Sequence, residues 1–155
     1  MKKSEQSEQH RKVVVVGAGS VGATYCYALA QSGLADEIVL IDRNQDLVNG
    51  QVLDLVHGQP FFPTVHIRSG SSEDFSDAQL VVITAGVAQM PGETRLQLLR
   101  KNAGIVGSIA EEVASFNCRG VILVVTNPVD VLTYVALKRS GWDRGRVIGS
   151  GTVLD

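Results

Sequence analysis

Apolar residues along this chain fall into two alternating patterns. The first is the short run that is apolar at nearly every position: VVVVG at 13–17, EIVLID at 37–42, AQLVVITAG at 78–86 and GVILVVTN at 120–127. TVHIRS at 64–69 and GRVIGSG at 145–151 are weaker members of the same set. A strand apolar on both faces belongs in a parallel sheet covered by helices on each side. The second pattern repeats every three or four residues, the period of a helix with one buried face. Val21, Tyr25, Ala28 and Leu29 share such a face in 20–33, and Val48, Val52 and Leu55 do so in 44–57. The longest, 93–116, carries Leu96, Leu99, Ala103, Val106, Ile109 and Val113. Pro128 suits the first turn of a fourth helix, which ends near Gly141. Strands alternating with helices predict right-handed crossovers and an α/β fold: a doubly wound, parallel, six-stranded Rossmann sheet. Ligands of such sheets bind at the carboxyl ends of the strands.

A length of 155 residues suits one domain, assigned to 12–155. The polar start, MKKSEQSEQHRK, lacks a signal peptide's apolar segment, and residues 1–11 are read as a disordered tail. A net charge of −2 supplies no field for nucleic acid or an anionic membrane. No apolar run reaches the roughly 18 residues of a membrane span. The expected partner is therefore a small molecule, and the expected location is the cytoplasm. Cys26 and Cys118 have no metal-site spacing and read as reduced packing residues, with no metal implied.

Candidate chemistry begins at 12–42, KVVVVGAGSVGATYCYALAQSGLADEIVLID. Gly17, Gly19 and Gly22 form G-x-G-x-x-G between a strand and a helix, the context that gives the motif meaning. Gly17 permits the tight turn, Gly19 lets the backbone approach a pyrophosphate, and Gly22 lets helix and strand pack closely. The helix start at Ser20 and Val21 offers free N–H groups and a positive dipole end to phosphates. Asp42 follows about 20 residues later, at the end of the second strand, where a carboxylate accepts hydrogen bonds from the adenosine ribose. It would repel a 2′-phosphate, which favours NAD over NADP, although Arg43 next to it blunts the preference. The plainer alternative is a tight glycine turn, with Asp42 capping the next helix.

Further along, ITAGVAQMPGETRLQLLRKN (83–102) leaves the fourth strand at the ligand edge, turns at Pro91-Gly92 and starts a helix near Glu93 and Thr94. GAGSVG, LID, TAGVAQMPGETRLQLLRKN, VTNPVD and GSGTVLD together resemble the L-lactate/malate dehydrogenase family, in family order and spacing over nearly all of 12–155. The resemblance implies hydride transfer between NAD and a 2-hydroxy acid. It also implies a loop at 86–95 that closes over substrate, and a homo-oligomer with the 44–57 helix in a subunit interface. Gly86, Val87, Thr126 and Asn127 would then lie against the cofactor. Arg95 matches the arginine that polarises the substrate carbonyl, a role suited to a fixed cation beside a developing alkoxide. Without the resemblance, Arg95 reads as a solvated arginine at a helix start. Gln89 matches the position that selects substrate. Malate dehydrogenases place arginine there to grip a second carboxylate, and a neutral amide suits lactate and pyruvate instead. Asn127 matches an asparagine that hydrogen-bonds substrate, and the resemblance further implies a cis bond between Asn127 and Pro128. From the residues alone, Gln89 is equally an exposed loop amide and Asn127 a turn residue.

The catalytic base is the difficulty. Oxidising a hydroxyl by hydride loss needs one, most often histidine. The family holds its histidine with an aspartate, and Asp155 matches that aspartate. His10 lies in the tail, His57 ends a helix, and His66 sits early in the third strand, so none suits the role. The expectation is the NAD-binding half of an L-lactate dehydrogenase, cut between aspartate and histidine, with no substrate domain and inactive alone. The alternatives are a malate dehydrogenase, a non-catalytic NAD-binding module, and a metal-dependent NAD glycosidase, against which PGETRL and TNPVD argue.

Overall fold

The computed structural model describes residues 10–151. Six strands form one sheet: β1 (Lys12–Val16), β2 (Glu37–Ile41), β3 (His66–Ser69), β4 (Leu80–Ile83), β5 (Val121–Val124) and β6 (Val147–Gly149). Their spatial order is β3-β2-β1-β4-β5-β6, and every pairing is parallel. Four helices cross between them: α1 (Ser20–Ser32), α2 (Gln45–His57), α3 (Arg95–Ser115) and α4 (Val129–Ser140). This is the doubly wound sheet the alternating runs predict. The order reverses between β1 and β4, which opens a crevice at their carboxyl ends. No helix among the described residues is long and apolar enough to cross a membrane.

β1 is buried at all five positions because it lies between two cores. Val14 and Val16 join the core under α3 and α4, with Val81, Ile83, Val106, Ala110, Ile122 and Leu132. Val13 and Val15 point the other way, into the core under α1 and α2, with Cys26, Ala30, Ile38, Leu40 and Val48. The period of two along the strand thus fills both layers. Cys26 packs there as a free thiol, and burial pushes its pKa up to about 12, far from thiolate chemistry. Three apolar expectations fail. On α1, Val21 is 57% exposed and Ala28 is exposed, because the helix lays its small residues Gly22, Cys26 and Ala30 against the sheet instead. Leu96 is 57% exposed, because the first turn of α3 projects past the end of the sheet and has no strand beneath it.

The amino edge of the sheet is cross-linked by charge. Lys12, itself buried, donates to Asp74 Oδ1 at 2.9 Å and to Asp77 Oδ1 at 2.7 Å. Arg68 on β3 grips Asp74 through Nη1 and Nη2, and donates through Nε to Glu37 Oε1 at 2.8 Å. Residues 1–9 of the expected tail lie outside the described residues. His10 and Arg11 are engaged at this edge. His10 Nε2 lies 3.0 Å from Glu37 Oε2, and Arg11 Nη2 donates to Asp36 Oδ1 at 2.6 Å. Burial works against both charges of the central pair. The Asp77 and Asp74 hydrogen bonds nevertheless hold the Lys12 pKa above its usual value. Arg68 and Lys12 likewise hold the Asp74 carboxyl well below the carboxylate range.

Replacing Asp74 with alanine takes one of its two carboxylate partners from the buried Lys12 ammonium and one from Arg68, and should cost about 2 kcal/mol at pH 7. A carboxyl with a depressed folded pKa stabilises fully above its unfolded pKa of about 3.9, and loses that contribution as pH falls through the folded value. The gap between parent and Asp74→Ala should therefore narrow steadily below about pH 4. Urea unfolding of both proteins from pH 7 to pH 2.5 measures this, and a constant gap would contradict it.

Candidate functional site

The turn from β1 to α1 uses its three glycines for three different reasons. Gly17 has φ +115°, and an added Cβ would meet Ala85 N at 2.6 Å and Thr84 Oγ1 at 2.7 Å. A Cβ on Gly22 would lie 1.8 Å from the Gly17 carbonyl oxygen, so the helix can approach the strand only without one. Gly19 differs. Its φ of −67° and ψ of −177° suit any residue, and a Cβ there would meet nothing within 4 Å. Its bare backbone instead leaves open space at the start of α1, where no side chain caps the free N–H groups. That opening fits a pyrophosphate.

Asp42 closes the other side of this space. Its Oδ2 accepts the Ala18 N–H at 2.7 Å, and its Oδ1 accepts the Asn44 N–H at 3.0 Å. The residue capping α2 is Asn44, whose Oδ1 accepts from Leu47 N at 3.1 Å. Asp42 therefore fastens the glycine turn to the end of β2. A carboxylate has about four lone-pair positions, so two backbone donors leave capacity for a ribose hydroxyl.

Beyond β4, Ala85, Gly86 and Val87 are held from two sides. Thr126 Oγ1 donates to Ala85 O at 2.8 Å. A Cβ on Gly86 would press on Thr126 Cγ2 at 2.7 Å. The Thr126 hydroxyl is thus committed to the backbone, and positions Gly86 rather than reaching outward. From α3, Asn102 Oδ1 accepts the Val87 N–H at 2.8 Å. The pattern of apolar spacings missed Asn102, although an amide one helical turn from Leu99 and Val106 was the signal available.

The following loop folds on itself. Gln89 Nε2 donates to Glu93 O at 2.7 Å, and Met90 N donates to Glu93 Oε2 at 3.0 Å. Lys101 Nζ sits 2.6 Å from Glu93 Oε1, and with the Met90 N–H it holds the Glu93 carboxyl below its ordinary pKa. The α3 helix begins two residues later than the expected 93, because Thr94 and Gln97 form a reciprocal capping box. Arg95 is therefore the first helical residue, exposed and without an ion-pair or hydrogen-bond partner among the described residues. Asn127 stands exposed just past β5, and its bond to Pro128 is cis. Asp155 lies outside the described residues. His57 ends α2 and His66 opens β3, so both stand at the edge opposite the ligand crevice, as does His10.

The structure thus groups the candidates in three places along one edge. Gly17, Gly19, Ser20, Val21 and Gly22 meet Asp42 over β1 and β2. Gly86, Val87 and Thr126 meet over β4 and β5, with Asn127 just past β5. Gln89 and Arg95 share the exposed segment that leads into α3.

Comparison with known proteins agrees with this geometry. The family described as lactate/malate dehydrogenase, NAD binding domain, matches residues 11–149. An L-lactate dehydrogenase of Treponema denticola is 59% identical over 148 residues, covering 96% of this chain and 47% of that protein. One from Clostridium botulinum is 56% identical over 144 residues, covering 93% of this chain and 45% of that protein. The crystal structure of a minor L-lactate dehydrogenase from Enterococcus mundtii, in its ligands-bound form, superposes with a TM-score of 0.91 at 45% identity. It is covered over 46% of its length, against 94% of this chain. The chain spans about half the length of the relatives it matches.

The glycine geometry separates folding from binding. Gly19→Ala should leave the melting temperature unchanged or slightly raised, because its backbone angles tolerate a side chain. It should weaken NADH binding by roughly tenfold or more, about 1.4 kcal/mol. Gly22→Ala should cost about 3 kcal/mol of stability through its collision with the Gly17 carbonyl. Calorimetric melts alongside NADH fluorescence titration distinguish the two effects, and equal destabilisation by both variants would refute the assignment.

Proposed function

The chain belongs to the lactate/malate dehydrogenase family as an NAD-binding domain, and from that premise we propose that it serves an L-lactate dehydrogenase. NAD is the cofactor. When bound, it supplies the acceptor or donor of a hydride. The observation that carries the reading is that Arg95, an exposed cation free of partners among the described residues, opens α3 just after the loop that carries the neutral amide of Gln89. A guanidinium that spends no charge internally is available to the oxygen of a 2-hydroxy or 2-oxo acid. There it stabilises the negative charge that grows during reduction. Asn127, exposed just past β5, would hydrogen-bond the same substrate. Asp155 takes the role of orienting a histidine base.

Gln89 decides between the two chemistries of the family. A second carboxylate, as in malate, calls for a bidentate cation, and an amide cannot neutralise it. Pyruvate and lactate present a methyl group instead and leave no buried charge unpaired. We infer a homo-oligomer, with the outer face of α2, where Leu47 and Leu53 are exposed, as the subunit contact, and a cytoplasmic location.

For the 155-residue chain by itself we infer binding without turnover. No histidine among the described residues stands at the carboxyl edge where a proton must move. The purified chain should quench its own fluorescence with NADH yet leave NADH absorbance constant in the presence of pyruvate. Measurable pyruvate reduction would overturn that. In an enzyme that joins this chain to a substrate-binding segment, Gln89→Arg should move kcat/KM from pyruvate toward oxaloacetate by roughly a hundredfold, the worth of a charge-assisted pair of about 3 kcal/mol. An unchanged ratio would remove Gln89 from the specificity role.

A further inference from the structure

Asn102 is the one uncharged polar side chain buried among the described residues, at 3% exposed. A buried amide that finds no partner is costly, so where its hydrogen bonds go is informative. Both of its polar atoms address a single residue. Oδ1 accepts the Val87 N–H at 2.8 Å, and Nδ2 faces the Val87 carbonyl at 3.4 Å. Val87 is itself 44% exposed, so a core amide is spent on gripping a surface segment. On the opposite side, Thr126 holds Ala85 O, and Gly86 has room only because it lacks a Cβ that would lie 2.7 Å from Thr126 Cγ2 and 3.3 Å from Asn102 Oδ1.

We propose that Asn102 is a positioning residue, fixing Gly86 and Val87 as the floor of the nicotinamide half of the cofactor crevice. The inference rests on the NAD reading above. The sheet is built of two mononucleotide-binding halves that meet between β1 and β4. Asp42 assigns the adenosine to the β1–β2 half, so the nicotinamide mononucleotide falls over β4 and β5, where Gly86 and Val87 lie. Asn102 itself stays beneath the backbone and acts through Val87. If the clamp is released, the β4 side of the crevice loses its shape, while the glycine turn and Asp42 keep theirs.

This predicts a split between ligands. ADP reaches only the adenosine half, whereas NADH spans both. In the 155-residue chain, Asn102→Ala should weaken NADH by roughly tenfold, the worth of one lost buried hydrogen bond. ADP affinity should stay within about twofold of the parent, below the tenfold set by each 1.4 kcal/mol. Asn102→Asp keeps an acceptor for the Val87 N–H but sets a buried carboxylate oxygen against the Val87 carbonyl, so it should recover the NADH affinity only in part. A purely structural asparagine would instead lower both ligands together, and that result, or no change in either, overturns the proposal. Amide hydrogen exchange in the unaltered chain provides a test that no folding defect can spoil. The Val87 N–H should be strongly protected and that of Ala88 weakly, and equal exchange of the two would also overturn the clamp. Failure of the unaltered chain to bind ADP at all would sink the NAD reading itself, a different outcome from failure of the split.

Discussion

The ligand edge depends on one close approach, that of α1 to the end of β1. The Gly17 carbonyl occupies the place where any side chain at residue 22 would begin. Thr84 Oγ1 reaches the same carbonyl from β4 at 3.0 Å. The glycine turn, the helix start and the neighbouring strand are therefore fixed by one carbonyl group. Asp42 adds a fourth element by holding the Ala18 N–H. An edge built this way is organised before any ligand arrives, because the N–H groups are pointed by contacts within the protein. Preorganisation of this kind lowers the ordering cost that binding would otherwise meet.

Most of the fold was legible in the sequence because its signals are local. Runs of valine and isoleucine, apolar on both faces, can only be interior parallel strands, and β1 is buried along its whole length. G-x-G-x-x-G and Asp42 were legible for a different reason, since the spacing of the motif between a strand and a helix is itself the signal, whatever each residue touches. What escaped notice was set by distance in space. Asn102 and Val87 are fifteen residues apart, and only the packing of α3 under the loop joins them. Thr126 follows β5 at the carboxyl edge, and its hydroxyl serves Ala85, forty-one residues away in sequence. Leu96 obeys the helical period, yet period alone cannot say where the sheet beneath the helix stops.

The two edges of the sheet do different work. At the amino edge Lys12 and Arg68 are bound by Glu37, Asp74 and Asp77 in a network of short bonds. Both cations there are engaged within the protein, and the network ties β1, β2 and β3 to the segment ahead of β4. At the carboxyl edge the arrangement is reversed. The helix start is uncapped, Gly19 faces open space, and Arg95 has no partner among the described residues. Unsatisfied potential is costly to fold, and it persists where other parts of the structure supply the stability. The ion network and the two apolar cores supply it here.

The loop between β4 and α3 is lightly held. Gln89, the residue proposed to sense substrate, spends its amide on the Glu93 carbonyl. Such a bond between neutral groups on an exposed loop nets only about 1 kcal/mol, because water offers nearly the same. The Glu93–Lys101 ion pair joins a carboxylate that is only 7% exposed to an ammonium that is more than half exposed, so water still competes for the Lys101 end. Both contacts sit after Val87, on the far side of the Asn102 clamp. The loop therefore has one firm attachment, at Val87, and one at the capped start of α3, with weak bonds between. A ligand that offers Gln89 and Arg95 better partners needs to displace only the weak ones, and the attachments set where the displaced segment can go.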